Sequence, residues 1–144
     1  MKVAWDIDHT LLFSKNEIQP STITAEDQPF LNPVVIGREN EISILVTGRP
    51  FTKWRDTYDL LWDLGLKKVR QICLNPVKKF DQHHIASMKS KYLDDLEITH
   101  YVEDNENYRK VMEKYWEGEC ISSDMWLRLS TTNDFNRWFA LPSL

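Results

Sequence analysis

The chain has 144 residues, of which 42% are hydrophobic and 12% are aromatic. This size and composition suit one domain with a buried core. The formal net charge of −4 argues against a dedicated nucleic-acid surface, because a phosphate backbone demands a basic face, although it does not exclude a small phosphorylated ligand or a single nucleic-acid end.

The two cysteines, Cys73 and Cys120, lie outside any C-x-x-C pattern, so we expect neither a zinc site nor a disulfide framework. Unpaired thiols are typical of a reducing compartment. No signal peptide is visible, and no apolar run approaches the roughly 20 residues that span a bilayer. The expected protein is therefore soluble and cytoplasmic, without a membrane partner.

Short apolar strands alternate with helical segments along the chain, which is typical of a parallel sheet covered by helices. The first strand is predicted at residues 2–7. Residues 14–32 are polar, contain Pro20 and Pro29 and show no clear period. We therefore expect a loop or a small insert over residues 13–40, too short for a full additional domain.

Three more strands and three helices follow this insert. The strands are predicted at residues 41–46, 69–74 and 99–102, and the helices at 51–64, 80–96 and 106–116. Residues 121–129 fit a fifth strand or a loop, and the tail 133–144 is expected to pack against the sheet edge. With no repeat and no linker, the predicted fold is a single α/β domain over residues 1–144: a Rossmann-like three-layer α/β/α sandwich with a mostly parallel sheet.

Two of the predicted helices have an apolar face. In the first, Trp54, Tyr58, Leu61 and Trp62 recur at helical spacing, and Gly65 is placed to end the helix. We expect these aromatic side chains to belong to the core. In the second helix, the predicted apolar face consists of Ile85, Met88, Tyr92, Leu93 and Leu96.

Two carboxylates follow the first strand directly. Successive side chains of a strand alternate between its faces, so Asp6 and Asp8 share one side at its carboxyl end. Open α/β sheets bind their ligands at this end of the strands. Two acids there can bind Mg²⁺, and one can attack phosphorus while the other handles a proton. The alternative is a simple turn, in which aspartate is common.

Polar groups also end two other predicted strands, and a parallel sheet brings all these ends to one edge. Thr47 ends the second strand, while Glu103 and Asp104 end the fourth. Clustered carboxylates require a cation, because like charges at close range otherwise force protonation. Mg²⁺ and one lysine would supply the positive charge. Lys89 is the preferred lysine and Lys91 the alternative; we expect only one of them to point into the site, because the two lie on different helical faces.

The order of these elements resembles that of the haloacid dehalogenase superfamily of phosphohydrolases. The resemblance covers about residues 2–110 and is carried by Asp6-Ile-Asp8-His-Thr10, Thr47-Gly48-Arg49, Lys89 and Glu103-Asp104. The V-T-G-R-P segment before a helix is most similar to the branch that contains polynucleotide 3′-phosphatases and nucleotide phosphatases.

The resemblance implies a role for each matching residue. Asp6 would be the nucleophile that forms an aspartyl-phosphate, and Asp8 would protonate the leaving alkoxide and then activate water. Thr47 would donate a hydrogen bond to a phosphoryl oxygen, unless it merely caps the turn. Lys89 would neutralise charge on the nucleophile and the phosphoryl group.

The resemblance also implies a cofactor and a substrate-binding loop. Mg²⁺ would be held by Asp6, the backbone carbonyl of Asp8 and Asp104, with Glu103 nearby. The substrate-binding positions would be Gly48, Arg49 and His9; Arg49 either binds substrate or pairs with an acid. Asn105 and Glu106 either contact the metal's waters or cap the following helix.

Two features depart from the family pattern. His9 stands where glycine is frequent, so it can alter the loop over the site. Only 36 residues separate Thr10 from Thr47, and 41 separate Thr47 from Lys89, so neither interval holds a full cap domain. An open site favours large phosphorylated substrates, whereas the acidic net charge does not.

The favoured hypothesis is a Mg²⁺-dependent phosphomonoesterase that acts on a nucleotide or a nucleic-acid 3′-phosphate. The alternatives are a sugar-phosphate or phosphoprotein phosphatase and a non-catalytic domain that binds Mg²⁺ and phosphate. The intact Asp8 favours hydrolysis, since a domain that only holds phosphate needs no general acid. The oligomeric state stays open.

Overall fold

The computed structural model describes residues 1–138, with side chains as far as Thr132. The predicted packing of the tail 133–144 lies outside these described side chains. In chain order the strands are β1 (Val3–Trp5), β2 (Leu12–Ser14), β3 (Pro29–Leu31), β4 (Ile44–Pro50), β5 (Gln71–Asn75), β6 (His100–Val102) and β7 (Glu119–Ile121). The helices are α1 (Trp54–Asp63), α2 (Gln82–Asp95), α3 (Glu106–Glu113) and α4 (Ser123–Trp138).

A parallel five-stranded sheet forms the centre of the fold, in the order β5-β4-β1-β6-β7. The first strand of the chain lies in the middle, between β4 and β6. This arrangement confirms the predicted Rossmann-like α/β sandwich. It also fixes where the site can form, because a central β1 has its carboxyl end beside those of two neighbours.

Two hydrophobic cores lie on opposite faces of the sheet. Residues of β4 alternate between them: Leu45 packs with α1 and α4, while Ile44 and Val46 pack with α2 and α3. On the first face, the indoles of Trp5 and Trp126 meet edge to face with ring centroids 4.9 Å apart. Helices on both faces explain why the central strands are almost continuously apolar.

The predicted loop over residues 14–32 contains a strand pair that the sequence pattern did not reveal. β2 and β3 pair antiparallel, with Leu12 opposite Leu31, and Phe13 stacks on Phe30 at 5.9 Å. Strands of three residues are too short for a recognisable period. We call the segment between them, residues 15–28, the β2–β3 loop.

The prediction of a strand or loop at residues 121–129 is wrong beyond Ile121, where β7 ends. The hydroxyl of Ser122 accepts a hydrogen bond from the backbone N–H of Met125 at 3.1 Å, which caps the start of α4. Trp126 and Ser130, four residues apart, are both buried. The spacing of these two buried residues is that of a helix, in agreement with the observed structure of this segment.

The predicted core face of α1 is wrong for its three aromatic residues, although its fourth member, Leu61, is buried. Trp54, Tyr58 and Trp62 are 54%, 37% and 43% exposed. The aromatic stripe lies beside the buried stripe, next to edge strand β5, where no further strand of residues 1–138 covers it. The side chains that α1 does bury are Thr57, Leu60 and Leu61.

The apolar face of α2 agrees better with its prediction. Met88 and Leu93 are buried, whereas Tyr92 and Leu96 are partly buried against the same core. Both cysteines are unpaired thiols. Among residues 1–138, no helix has the length and apolar character needed to cross a bilayer.

We expect Trp126→Ala to lower the free energy of unfolding by about 3–5 kcal/mol, because it leaves a cavity against Trp5. Urea denaturation followed by circular dichroism measures this change. Met125→Ala is the matched control, since Met125 precedes Trp126 on the same helix and is 40% exposed; its change should stay below about 1 kcal/mol. Equal losses in the two variants would contradict a core position for Trp126.

Candidate active site

The carboxyl edge of the sheet forms an open cavity of about 630 Å³. Strand register explains why residues far apart in sequence meet there. Trp5 pairs with both Leu45 and Val102, so Asp6 emerges level with Glu103 and one residue before Thr47. The backbone N–H of Asp6 extends this pairing by donating to the carbonyl of Val102 at 3.0 Å.

A buried ion pair lies at the base of this cavity. The Nζ of Lys89 donates to Oδ1 of Asp6 at 3.1 Å and lies 3.9 Å from Oε2 of Glu103. Lys89 is 3% exposed, while the alternative Lys91 points to solvent. The structure therefore places Lys89, and not Lys91, against the first aspartate.

The charges at this pair influence one another strongly. Burial favours the neutral amine, but the opposing effects of Asp6, Tyr108 and Glu103 raise the pKa of Lys89 above its ordinary value. Burial and the charge of Asp6 raise the pKa of Glu103 well above its ordinary value, although Lys89 opposes this. One ammonium thus does not fully compensate two buried carboxylates.

Arg49 holds the second aspartate. Its Nε and Nη2 donate to the two carboxylate oxygens of Asp8 at 2.9 and 2.7 Å. The same guanidinium donates to the carbonyl of Ile23 at 2.7 Å and to the hydroxyl of Thr57 at 3.1 Å. The N–H of Ile23 completes the arrangement by donating to Asp8 at 2.9 Å. Of the two roles considered for Arg49, the structure shows the pairing with an acid.

His9 occupies a left-handed backbone conformation, with φ of 62°. Glycine adopts this conformation without steric cost, whereas another residue pays about 1–2 kcal/mol. The His9 ring compensates in part, because its Nε2 is hydrogen-bonded to the carbonyl of Pro20 at 2.7 Å. His9 therefore ties the turn after β1 to the β2–β3 loop and lines the cavity from there.

The loop at the end of β4 brings two predicted residues to the cavity. The hydroxyl of Thr47 is buried and accepts a hydrogen bond from the N–H of Arg49 at 3.1 Å, which leaves its own hydrogen to donate. At Gly48, a Cβ atom would lie 3.2 Å from a methyl group of Ile85. A glycine here lets α2 approach the strand closely.

Asp104 is turned away from the cavity that Glu103 lines. Its carboxylate accepts from the N–H of Ser123 at 2.7 Å, from the Ser123 hydroxyl at 2.9 Å and from the amide of Asn32 at 3.4 Å. These contacts link β6 to the start of α4. The predicted magnesium set of Asp6, Asp8, Asp104 and Glu103 is therefore not gathered at one point.

The donors that do line the cavity suit a magnesium ion in their chemistry. Within the part of the chain that the structure describes, no three Asp, Glu, His or Cys side chains are grouped as a metal cage. Mg²⁺, however, commonly uses only one or two carboxylates and keeps several waters. Asp6 and Glu103 both line the cavity and offer the hard oxygen donors that this ion prefers. These two carboxylates are the donors that fit, and the resemblance adds the backbone carbonyl of Asp8.

The sequence did not predict a role for several residues of the site. The hydroxyl of Thr10 lies 3.4 Å from both Asp6 and Glu103 and accepts from the N–H of Asp104 at 3.1 Å. The D-x-D-x-T pattern contained this threonine, but nothing in the sequence indicated that it bridges two strand ends. The other unassigned residues are Ser21, Thr22, Asn32 and Tyr108.

Asn105 caps α3. Its side chain accepts a hydrogen bond from the N–H of Tyr108 at 2.9 Å, so of the two roles considered for it the structure shows capping. The cap turns Tyr108 toward Lys89, whose ammonium lies 4.6 Å from the centre of the tyrosine ring. Burial raises the pKa of Tyr108 to about 12, so its hydroxyl stays protonated at neutral pH.

Comparison with known proteins adds no assignment. The chain matches no protein-family model, and no curated protein sequence is significantly similar to it. The relation to the haloacid dehalogenase superfamily is thus a resemblance of motifs and of their order.

We expect Lys89→Met to lower the free energy of unfolding by about 3–5 kcal/mol, because it leaves Asp6 and Glu103 buried without their cation. Denaturation in urea with EDTA present measures this loss. Lys91→Met on the same helix is the matched control and should change stability by less than about 0.5 kcal/mol. A Lys89→Met protein as stable as the control would refute the buried ion pair.

Proposed function

We propose that this protein is a Mg²⁺-dependent phosphomonoesterase that works through an aspartyl-phosphate intermediate. The observation that carries the proposal is the Asp6 carboxylate, held 3.1 Å from a buried lysine at the base of an open cavity. A second aspartate, fixed by Arg49, lines the same cavity. Asp6 thus lies beside the ammonium of Lys89, and Asp8 is oriented separately by the guanidinium of Arg49.

In the first step, a carboxylate oxygen of Asp6 bonds to phosphorus while the bond from phosphorus to the ester oxygen breaks. Asp8, in its protonated form and with one oxygen released from Arg49, gives its proton to the departing oxygen, which leaves as an alcohol. In the second step, Asp8 takes a proton from water as the water oxygen bonds to phosphorus. The bond to Asp6 then breaks and inorganic phosphate leaves.

The residues around the two aspartates offset the repulsion between a carboxylate and a phosphate dianion. Lys89 places a positive charge beside Asp6, and Thr47 has a hydroxyl hydrogen to donate to a phosphoryl oxygen. Magnesium, when bound by Asp6, Glu103 and the carbonyl of Asp8, would add charge neutralisation of the phosphoryl group.

The open cavity supports a substrate whose alcohol portion extends beyond the site, such as a nucleotide or a nucleic-acid 3′-phosphate. The β2–β3 loop supplies only Ser21 and Thr22 to the lining next to His9. It forms a wall and leaves the approach open. Sugar phosphates and phosphoproteins are the alternative substrates, and the proposed compartment is the cytoplasm.

We expect Asp6→Asn to abolish Mg²⁺-dependent release of p-nitrophenol from p-nitrophenyl phosphate, because the amide is not a nucleophile. The wild-type protein should lose the activity in EDTA and recover it when Mg²⁺ is added. Asp95→Asn, a change at an exposed carboxylate of α2, is the matched control and should retain full activity. Wild-type protein without turnover would favour the non-catalytic binding domain, and an active Asp6→Asn would remove Asp6 from the nucleophile's role.

We expect Asp8→Asn to slow hydrolysis of a nucleoside monophosphate by about 10²–10⁴-fold, because an alkoxide leaves poorly without a proton donor. p-Nitrophenolate leaves without protonation, so this variant should release p-nitrophenol in a burst equal to the enzyme concentration and then slow down. Rapid-mixing absorbance measures the burst. Equal losses on both substrates with no burst would contradict the role of Asp8 as the acid.

A further inference from the structure

The exposed aromatic stripe of α1 is a surface that the proposed reaction does not use. Trp54, Tyr58 and Trp62, here called the aromatic face, recur once per helical turn and expose between 37% and 54% of their surface. The Tyr58 and Trp62 rings are nearly parallel, at an interplanar angle of 26° with centroids 6.2 Å apart. Large rings in such a row offer flat platforms to a ligand.

Cations border the aromatic face. The guanidinium of Arg55 lies 5.8 Å from the Trp54 ring centre, and the ammonium of Lys67 lies 4.1 Å from that of Trp62. Arg70 lines a shallow groove of about 200 Å³ between this face and edge strand β5. Three cations therefore lie beside the rings, Arg55 on α1 and Lys67 and Arg70 in the segment that follows it.

The acidic residues of α1 lie on a different side of the helix. Asp56, Asp59 and Asp63 line a separate cavity against the β2–β3 loop. Asp59 does pair with Arg55 at 3.3 Å, but this pair is exposed and weak. The positive charge beside the aromatic face thus comes mainly from Lys67 and Arg70, which follow α1, while the aspartates of the helix line the other cavity.

The aromatic face begins at the candidate active site. Gly48, Arg49 and Pro50 line the catalytic cavity, and the turn Phe51–Lys53 joins them directly to α1. Phe51, in this turn, is another exposed aromatic residue, at 55%. The ten residues of α1 extend about 15 Å from there. A chain-like substrate with its end in the cavity would pass along this helix.

We propose that the aromatic face binds single-stranded nucleic acid, whose phosphorylated end lies in the catalytic cavity. This inference rests on the proposed phosphomonoesterase function and specifies its substrate class. Exposed rings stack with unpaired bases of any sequence, and neighbouring cations follow the phosphates. Paired bases do not expose their faces, so a duplex would not use this surface.

The double variant Trp54→Ala/Trp62→Ala tests the proposal. We expect it to raise KM for a short single-stranded oligonucleotide with a 3′-phosphate by about tenfold or more, because two stacking platforms are lost. The KM and kcat for a nucleoside 3′-monophosphate should be unchanged. Tyr115→Ala removes an exposed aromatic ring outside the aromatic face and should behave as wild type on both substrates.

A binding measurement separates this inference from the proposed reaction. The same oligonucleotide with a 3′-hydroxyl should quench wild-type tryptophan fluorescence, lose affinity as salt rises and bind the double variant about tenfold more weakly. Absence of phosphatase activity overturns the reaction but leaves this binding test intact. Equal oligonucleotide affinity of wild type and double variant overturns the inference. The inference is also overturned if wild type sediments as a dimer and the double variant as a monomer with the same oligonucleotide affinity. The aromatic face would then be an interface between two copies of the chain.

Discussion

The contact of the Lys89 ammonium with the Asp6 carboxylate is the interaction on which the site depends. Both groups are buried, and neither would be tolerated alone at that depth. The contact requires β1 to lie centrally, with α2 packed on one face of the sheet so that Lys89 reaches the end of β1. Gly48 favours this packing, because a Cβ atom there would lie only 3.2 Å from a methyl group of Ile85 of α2. Backbone topology thus places an ammonium beside a buried carboxylate, and a glycine leaves room for the helix that carries it.

The convergence of the strand ends could be predicted because it follows from parallel topology alone. Asp6, Thr47 and Glu103 each follow an apolar strand, and a parallel sheet leaves such residues no other edge. Lys89 could be preferred over Lys91 only through resemblance, since both fit the helix. Its burial in the structure follows from the side of α2 that faces the sheet.

Side-chain directions and face assignments could not be predicted in the same way. Asp104 turns toward Ser123 and Asn32, which are 19 and 72 residues distant, and only the folded chain reveals these partners. The aromatic stripe of α1 has the spacing of a core face. It is exposed because β5 ends the sheet on that side, and strand order is not readable from helical periodicity. β2 and β3 could not be predicted, because a strand of three residues is too short to show an alternating apolar pattern.

Arg49 has one consequence for how this fold can change over time. Its guanidinium contacts Asp8 and also the main chain of Ile23, so the proposed proton donor and the loop wall share one anchor. Pro20 is attached to His9 in a similar way. Residues 15–19 contribute to neither anchor, so we expect the loop to tolerate added length there, whereas an insertion among residues 20–23 would shift the contacts that orient Asp8. The middle of the loop is therefore more constrained in length than its start.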